Sequence, residues 1–304
     1  MTKFDVVGFG ALNVDMLFKV DNLAGAEEES FIEDYTEACG GSAANTMVGL
    51  ARLGCKVGFI GKVANDREGK LQIDCFNNEG VDTSGIIQAK HGKSGSALGF
   101  VDKKGARVLY INSGVNDTIE PREINYSYIS QAKFLHYSSF VGEKSLRAQK
   151  KLLAALPNDV KISFDPGSLY ARKGFVAIEP IIRSSYVLMP NAVELELLTG
   201  ETDYCKGADF MIEVGVKIVA VKLGSQGCYV TDGQERLRIE PFKVKVVDTT
   251  GAGDAFCAGF LYGLINNKSL YECGRLGNFV ASRSVTAMGA RAGLPYSKDL
   301  ELLY

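Results

Sequence analysis

Histidine is almost missing from this chain of 304 residues: only His91 and His136 occur, far apart and without ligand spacing. A histidine-built zinc site or a histidine general base therefore has no support, and both residues are read as structural. No CxxC pair occurs among the seven cysteines, at 39, 55, 75, 205, 228, 257 and 273. Their odd number on a chain of ordinary size argues against a disulfide framework and suits small apolar core residues in a reducing compartment. An excess of one charge is also lacking, because 34 Lys plus Arg stand against 36 Asp plus Glu and leave a formal charge of -2. So weak a field holds neither nucleic acid nor an anionic membrane, and neither is expected as a partner. Long apolar runs are absent too. The longest uncharged one, Ala255 to Ile265, is about half of the roughly 20 residues that a bilayer span needs. Asp5 falls where a signal peptide would carry its apolar centre, so the reading is a cytoplasmic protein.

What is present is a large apolar fraction, 46%, enough to bury a sizeable core. Short runs rich in Val and Ile, at Phe4 to Phe9, Val57 to Ile60, Val160 to Phe164, Tyr186 to Met189 and Ile218 to Val221, read as strands, several of them buried on both faces. Between them lie helix-like segments at Ala43 to Leu53, Arg67 to Glu79, Glu143 to Leu156 and Asp254 to Ile265, the first two followed by glycine stops. Strands alternating with crossover helices predict an α/β fold: a doubly wound, mostly parallel sheet flanked by helices. Two segments break the rhythm, about 13–36 and 92–111, the second a hairpin tipped by Lys103-Lys104-Gly105. They are expected to pair as a small β lid on one domain spanning 1–304.

The most informative segment is the run Val246 to Phe256, VVDTTGAGDAF, a strand end and a small-residue turn leading into a helix. Gly251 and Gly253 let a ligand approach the backbone, and unpaired N–H groups at a helix start favour an anion such as a phosphoryl group. Asp254, in the first turn, lies where it could take a proton from an attacking hydroxyl. A plain helix cap is the competing reading of the same residue. The second constellation is Gly40-Gly41-Ser42-Ala43-Ala44-Asn45, a diglycine turn into a helix in which Asn45 interrupts the apolar face. Asn13 and Asp15 follow the first strand, where α/β sheets gather ligands. Asn191 and Glu194 have the spacing of a capping box.

Two motifs fail. Gly8-Phe9-Gly10 is followed by Asn13 where a dinucleotide fingerprint wants glycine, and Gly92-Lys93-Ser94 lacks the first glycine of a Walker loop, Ile87 standing in its place.

With these residues in view the chain resembles the ribokinase-like (PfkB) carbohydrate kinase family nearly end to end. GGSAANTMVGLARLG at 40–54 is similar to that family's amino-terminal motif and DTTGAGDAFCAGFL at 248–261 to its carboxyl-terminal one, with LGSQG at 223–227 and NAVE at 191–194 between them. The resemblance implies ATP-dependent phosphorylation of a hydroxyl on an unphosphorylated sugar or nucleoside. Asp254 would be the base, with the backbone of Ala252, Gly253 and Asp254 as the anion hole and Gly251 in the same catalytic turn. Asn13, Asp15, Gly40, Gly41 and Asn45 would hold the acceptor, a set that contains no cation. Asn191 and Glu194 would organise Mg2+ and its waters, while Lys222, Gly224, Ser225, Gly227 and Asn278 would lie along ATP. The positions matching a K+ site are Asp248, Thr250, Ser284, Ala287 and Gly289, with Gly293 where ribokinases often offer a serine. Ser138-Ser139 stands where phosphofructokinase-like relatives tend to carry a basic residue and ribokinases often an acidic one. That departure leaves room for a nucleoside, whose base would rest on Leu98, Phe100 or Tyr110, with Lys19 and Arg107 read as solvated. Lid strands in the family often pair between subunits, which implies a homodimer. The alternatives are a kinase of phosphorylated sugars and a catalytically silent sugar or nucleotide sensor.

Overall fold

A strand covered on both faces has no polar side to show, and Val57–Ala64 is buried at every residue. The computed structural model describes residues 3–104 and 106–303; Gly105 of the expected hairpin tip and the side chain of Arg107 lie outside the described residues. Thirteen strands are formed among the described residues: β1 Phe4–Phe9, β2 Asn13–Val20, β3 Ile32–Gly40, β4 Val57–Ala64, β5 Ile86–Ala89, β6 Gly95–Val101, β7 Arg107–Asn112, β8 Ala132–Tyr137, β9 Lys161–Phe164, β10 Ser185–Leu188, β11 Ile218–Lys222, β12 Cys228–Thr231 and β13 Arg236–Ile239. The helices are α1 Ser42–Arg52, α2 Arg67–Asn78, α3 Tyr126–Ile129, α4 Glu143–Leu153, α5 Gly167–Ala171, α6 Phe175–Ser184, α7 Ala192–Thr199, α8 Tyr204–Val214, α9 Ala252–Ile265 and α10 Leu270–Ser284.

Nine strands make the main sheet in the order β13-β12-β11-β10-β9-β8-β1-β4-β5. The pairs from β5 to β11 are parallel, and β12 and β13 close one edge antiparallel. One apolar layer packs α1, α9 and α10 on one face, and a second packs α4, α6 and α8 on the other. The doubly wound sheet read from the sequence is therefore the fold. From β1 the chain winds out to β5 on one side and then from β8 to β13 on the other, so the reversal falls at β1. Open α/β sheets bind ligands at that crevice, beyond the carboxyl ends of the strands. The residues there are Gly10 after β1, Ser138 after β8 and Asp165 after β9, with Lys222 ending β11.

The two segments that broke the helix–strand rhythm form a separate four-stranded sheet, β3-β2-β6-β7. β2 starts soon after β1, and β3 runs directly into α1, so this sheet is anchored at the same crevice. The Cα register pairs Asp15 with Ala97, and Ala97 in turn with Ile111. Leu98, Phe100 and Tyr110 alternate to the opposite face, where Phe100 stacks on Phe18 at 5.1 Å between ring centroids. The expected resting place for a base is thus on the wrong face relative to Asp15, whose own face carries Leu17, Leu109 and Ile111. Lys19 is exposed and pairs with Asp34 at 3.8 Å, as a solvated charge does.

Candidate active site

Small residues bring the two motif helices together. A Cβ added to Gly49 of α1 would meet Ala258 Cβ of α9 at 2.8 Å, so the helices touch through glycine and alanine and their first turns lie side by side. Glycine also shapes each entry turn. Gly41 has φ 110 and its Cα sits against the Ala11 carbonyl, while Gly251 has φ 74 and sits against Ala290. Both conformations strain any residue with a Cβ. The turn at Gly251 starts α9 at Ala252, two residues before the expected start at Asp254.

Asp254 is held from α1. Ser42 Oγ donates to its Oδ1 at 2.7 Å and Asn45 Nδ2 to its Oδ2 at 2.9 Å, while Thr46 Oγ1 donates to its backbone carbonyl at 3.2 Å. Burial pushes the Asp254 carboxyl up to about 7, against the pull of the Asn45 and Ser42 hydrogen bonds. A cap accepts from its own helix; this carboxylate accepts from another helix instead. Among the described residues no acceptor takes the N–H of Gly253 or Asp254, whereas Ala252 N–H turns back on Thr249 O at 3.2 Å. Two donors, rather than three, therefore stay available at this helix start.

Beside them lies a cavity of about 490 Å³ lined by Lys222, Gly224, Ser225, Gly227, Thr249, Ala252, Gly253, Phe256 and Asn278, with Phe242 and Val246 among its apolar walls. All five residues expected along a nucleotide are in this one lining. Asn278 Nδ2 holds the chain after β13 by donating to Ile239 O at 3.1 Å and Glu240 O at 3.0 Å. Lys222 Nζ is bound to Asp165 at 2.6 Å and would stand 3.4 Å from a Cβ on Gly253. Burial works against that ammonium, but Asp165, Cys257 and Glu194 together raise its pKa. Asn191 and Glu194 do form the capping box, with both bonds at 2.8 Å. Neither residue is in the cavity lining; burial, and then the charge of Asp165, push the Glu194 carboxyl up.

On the other side of Asp254, Asn13, Asp15, Gly40, Gly41 and Asn45 converge. The space over Gly40 is taken by the Asp15 carboxylate, and Asn13 Oδ1 accepts from Asn116 Nδ2 at 2.9 Å. Burial lifts Asp15 to about 6, with Arg291 opposing. A cation does stand here, contrary to the cation-free set read from the sequence: Arg291 Nε donates to Asn45 Oδ1 at 2.8 Å. The turn expected to bind a monovalent cation is closed by Asp248, which accepts from Thr250 N at 3.0 Å, Thr250 Oγ1 at 2.8 Å and Gly289 N at 2.8 Å. Ser284 ends α10, Ala287 lies in the bend before Gly289, and the Cα of Gly293 packs on Ser284 O with no room for a side chain.

Sequence reasoning missed Ser42, Asn116, Asp165 and Arg291. Asp165 had a usable signal, since it directly follows a strand-like run whose carboxyl end faces the crevice. His136 is buried with Nδ1 2.9 Å from Ser163 Oγ, whereas His91 is exposed; Cys39, Cys228, Cys257 and Cys273 are buried, and Cys55, Cys75 and Cys205 only half-buried.

The family model described as pfkB family carbohydrate kinase matches residues 3–296. A sugar kinase of unassigned substrate from Archaeoglobus fulgidus is 46% identical over 83% of this chain and 100% of that protein. A 5-dehydro-2-deoxygluconokinase from Clostridium botulinum is 32% identical over 98% of this chain and 92% of its own length. Among solved structures, Arabidopsis thaliana ribokinase complexed with ribose and ATP superposes with a TM-score of 0.89 at 26% identity, covering 99% of this chain and 98% of that one.

Proposed function

The chain belongs to the pfkB family of carbohydrate kinases, phosphotransferases that act on an alcohol group, and from that premise we propose how its own residues divide the work. Asp254 takes the proton from an acceptor hydroxyl as that oxygen attacks the terminal phosphorus of ATP. The new O–P bond forms, the bond to the ADP oxygen breaks, and ADP leaves with the electron pair. The N–H groups of Gly253 and Asp254, with the positive end of α9, carry the charge on the transferring group. Lys222 adds a fixed positive charge beside Gly253. Glu194 keeps Oε1 free of hydrogen bonds among the described residues, so it and Asn191 fit the water shell of a magnesium ion, which when bound neutralises phosphate charge. Asp248, Thr250, Ser284, Ala287 and Gly289 remain the candidate potassium site.

The observation that carries this reading is continuity: Gly253 lines the nucleotide-sized cavity, and the carboxylate of the very next residue faces Ser42 and Asn45. Residues 13–36 and 92–111 are proposed as the lid of one unit, closing over Asp15. Phe31, Ile32, Tyr35, Leu109, Tyr110 and Ile111 are exposed on or next to that sheet, which supports a homodimer paired through it.

For the acceptor, the reading is an unphosphorylated sugar or nucleoside. Binding a phosphate bidentately needs two adjacent guanidinium donors, and every such pair in arginine includes Nη2. In Arg291 that atom is enclosed and Nε is already committed to Asn45. The test compares kcat/KM for ribose, fructose, adenosine, cytidine and fructose 6-phosphate at fixed magnesium-ATP. A neutral acceptor should give the highest value; a highest value for the phosphorylated sugar would overturn the assignment.

A further inference from the structure

We infer that Arg291 is a positioning residue for phosphoryl transfer, setting which end of the Asn45 carboxamide faces Asp254. The inference rests on Asp254 being the base. A carboxamide has two ends of nearly equal size, one a donor and one an acceptor, and a guanidinium has donors only. Asn45 lies between Arg291 Nε, 2.8 Å from its Oδ1, and Asp254 Oδ2, 2.9 Å from its Nδ2. Only one orientation satisfies both neighbours. Turned over, the amide would set N–H against N–H and oxygen against a carboxylate oxygen.

Arg291 is itself held in place. Its backbone carbonyl accepts from Arg52 Nη1 at 2.7 Å, and its guanidinium lies 5.8 Å from the Phe76 ring centroid. The charged and titratable groups facing it are Asp15 of β2, Cys39 of β3, and Cys75 and Glu79 of and after α2. None of them takes Nη2, which is enclosed and has no hydrogen-bond partner among the described residues. Around Asp254 the corresponding groups are Asp165 after β9, Lys222 of β11, and Ser42 and Asn45 of α1. Cys257, one turn along α9, bonds Asp165 at 3.3 Å rather than the base. With Ser42 at Oδ1, Asn45 is one of the two side-chain donors that stabilise the ionised base. Releasing Asn45 therefore shifts the base toward its protonated, inactive form.

The test is kcat against pH for the full chain, for Arg291→Met and for Arg291→Lys, with magnesium-ATP and the best acceptor of the panel. Thermal unfolding serves as the control for folding. Arg291→Met should lower kcat at pH 7 by about 10-fold and move the acid limb to higher pH, so that much of the loss disappears by pH 9. Acceptor KM should change less than kcat. Arg291→Lys, which retains a donor, should recover part of the limb. In an Asn45→Ala background, Arg291→Met should cost little more, because the residue acts through Asn45. A loss of equal size at every pH with the limb unmoved, or a lysine variant no better than methionine, would overturn the inference. Should the methionine variant fail to fold, the limb of the lysine variant decides alone. Near-normal turnover in Asp254→Asn would instead remove the base itself, a separate failure.

Discussion

Asn45 Nδ2 lies 2.9 Å from Asp254 Oδ2, a hydrogen bond between residues 209 positions apart. It joins the first turn of α1 to the first turn of α9, so the proposed acceptor side and the proposed phosphoryl side share one contact. The glycine–alanine contact of Gly49 with Ala258 a turn or more further along keeps both helix starts in register. A base must sit within hydrogen-bond reach of its proton, and the helix packing fixes where Asp254, the proposed base, stands.

The two glycines of the α9 turn should fail differently. Gly251→Ala forces a Cβ to 2.5 Å from Ala290 Cβ at φ 74, and it should cost about 1–3 kcal/mol of stability and lower the melting temperature. At Gly253 an added Cβ comes no nearer than 3.4 Å to Lys222 Nζ, so Gly253→Ala should fold normally. Turnover should nevertheless fall at least about 10-fold, because the methyl covers the helix N–H groups. Melting curves and rates that show the reverse pattern would contradict this division.

Activity and stability should move in opposite directions with pH. Only ionised Asp254 is a base, so turnover should rise as pH passes through about 7. For stability, its folded pKa of about 7 exceeds the model-peptide 3.8, so the native state holds the extra proton in between and loses stability as pH rises through that window. Asp254→Asn removes this dependence. Its stability relative to the parent should therefore increase between about pH 4 and pH 7, by at most about 4 kcal/mol. Chemical denaturation at a series of pH values checks this, and parallel curves would contradict it.

Much of this arrangement was legible in the sequence. β1, β4, β9, β10 and β11 announce themselves as short runs dominated by buried apolar residues, and the turns at Gly40-Gly41 and Gly251 because a side chain fits neither. The second sheet showed as two stretches without helical rhythm. Arg291 was invisible, since within GARAG nothing marks a side chain whose partner lies 246 positions away. The face carrying Leu98, Phe100 and Tyr110 was equally hidden, because alternation gives two faces and only the pairing of β2 with β6 says which one holds Asp15.

Potassium should activate if the turn around Asp248 binds it through carbonyls. A cation there would order the loop that precedes Gly253, raising kcat rather than acceptor affinity. Rates in potassium, sodium and a large organic cation at matched ionic strength should rank potassium first; equal rates would remove the site.

The central claim is that Asp254 is the base, and the most direct measurement is the single-turnover rate of purified Asp254→Asn with magnesium-ATP and the best acceptor. Asparagine retains size and shape but cannot accept the hydroxyl proton. The account predicts a folded protein whose phosphoryl transfer is slower by roughly 10²- to 10⁴-fold, with acceptor affinity little changed. Near-normal transfer by the folded variant would contradict it and leave Asp254 as an anchor between two helices.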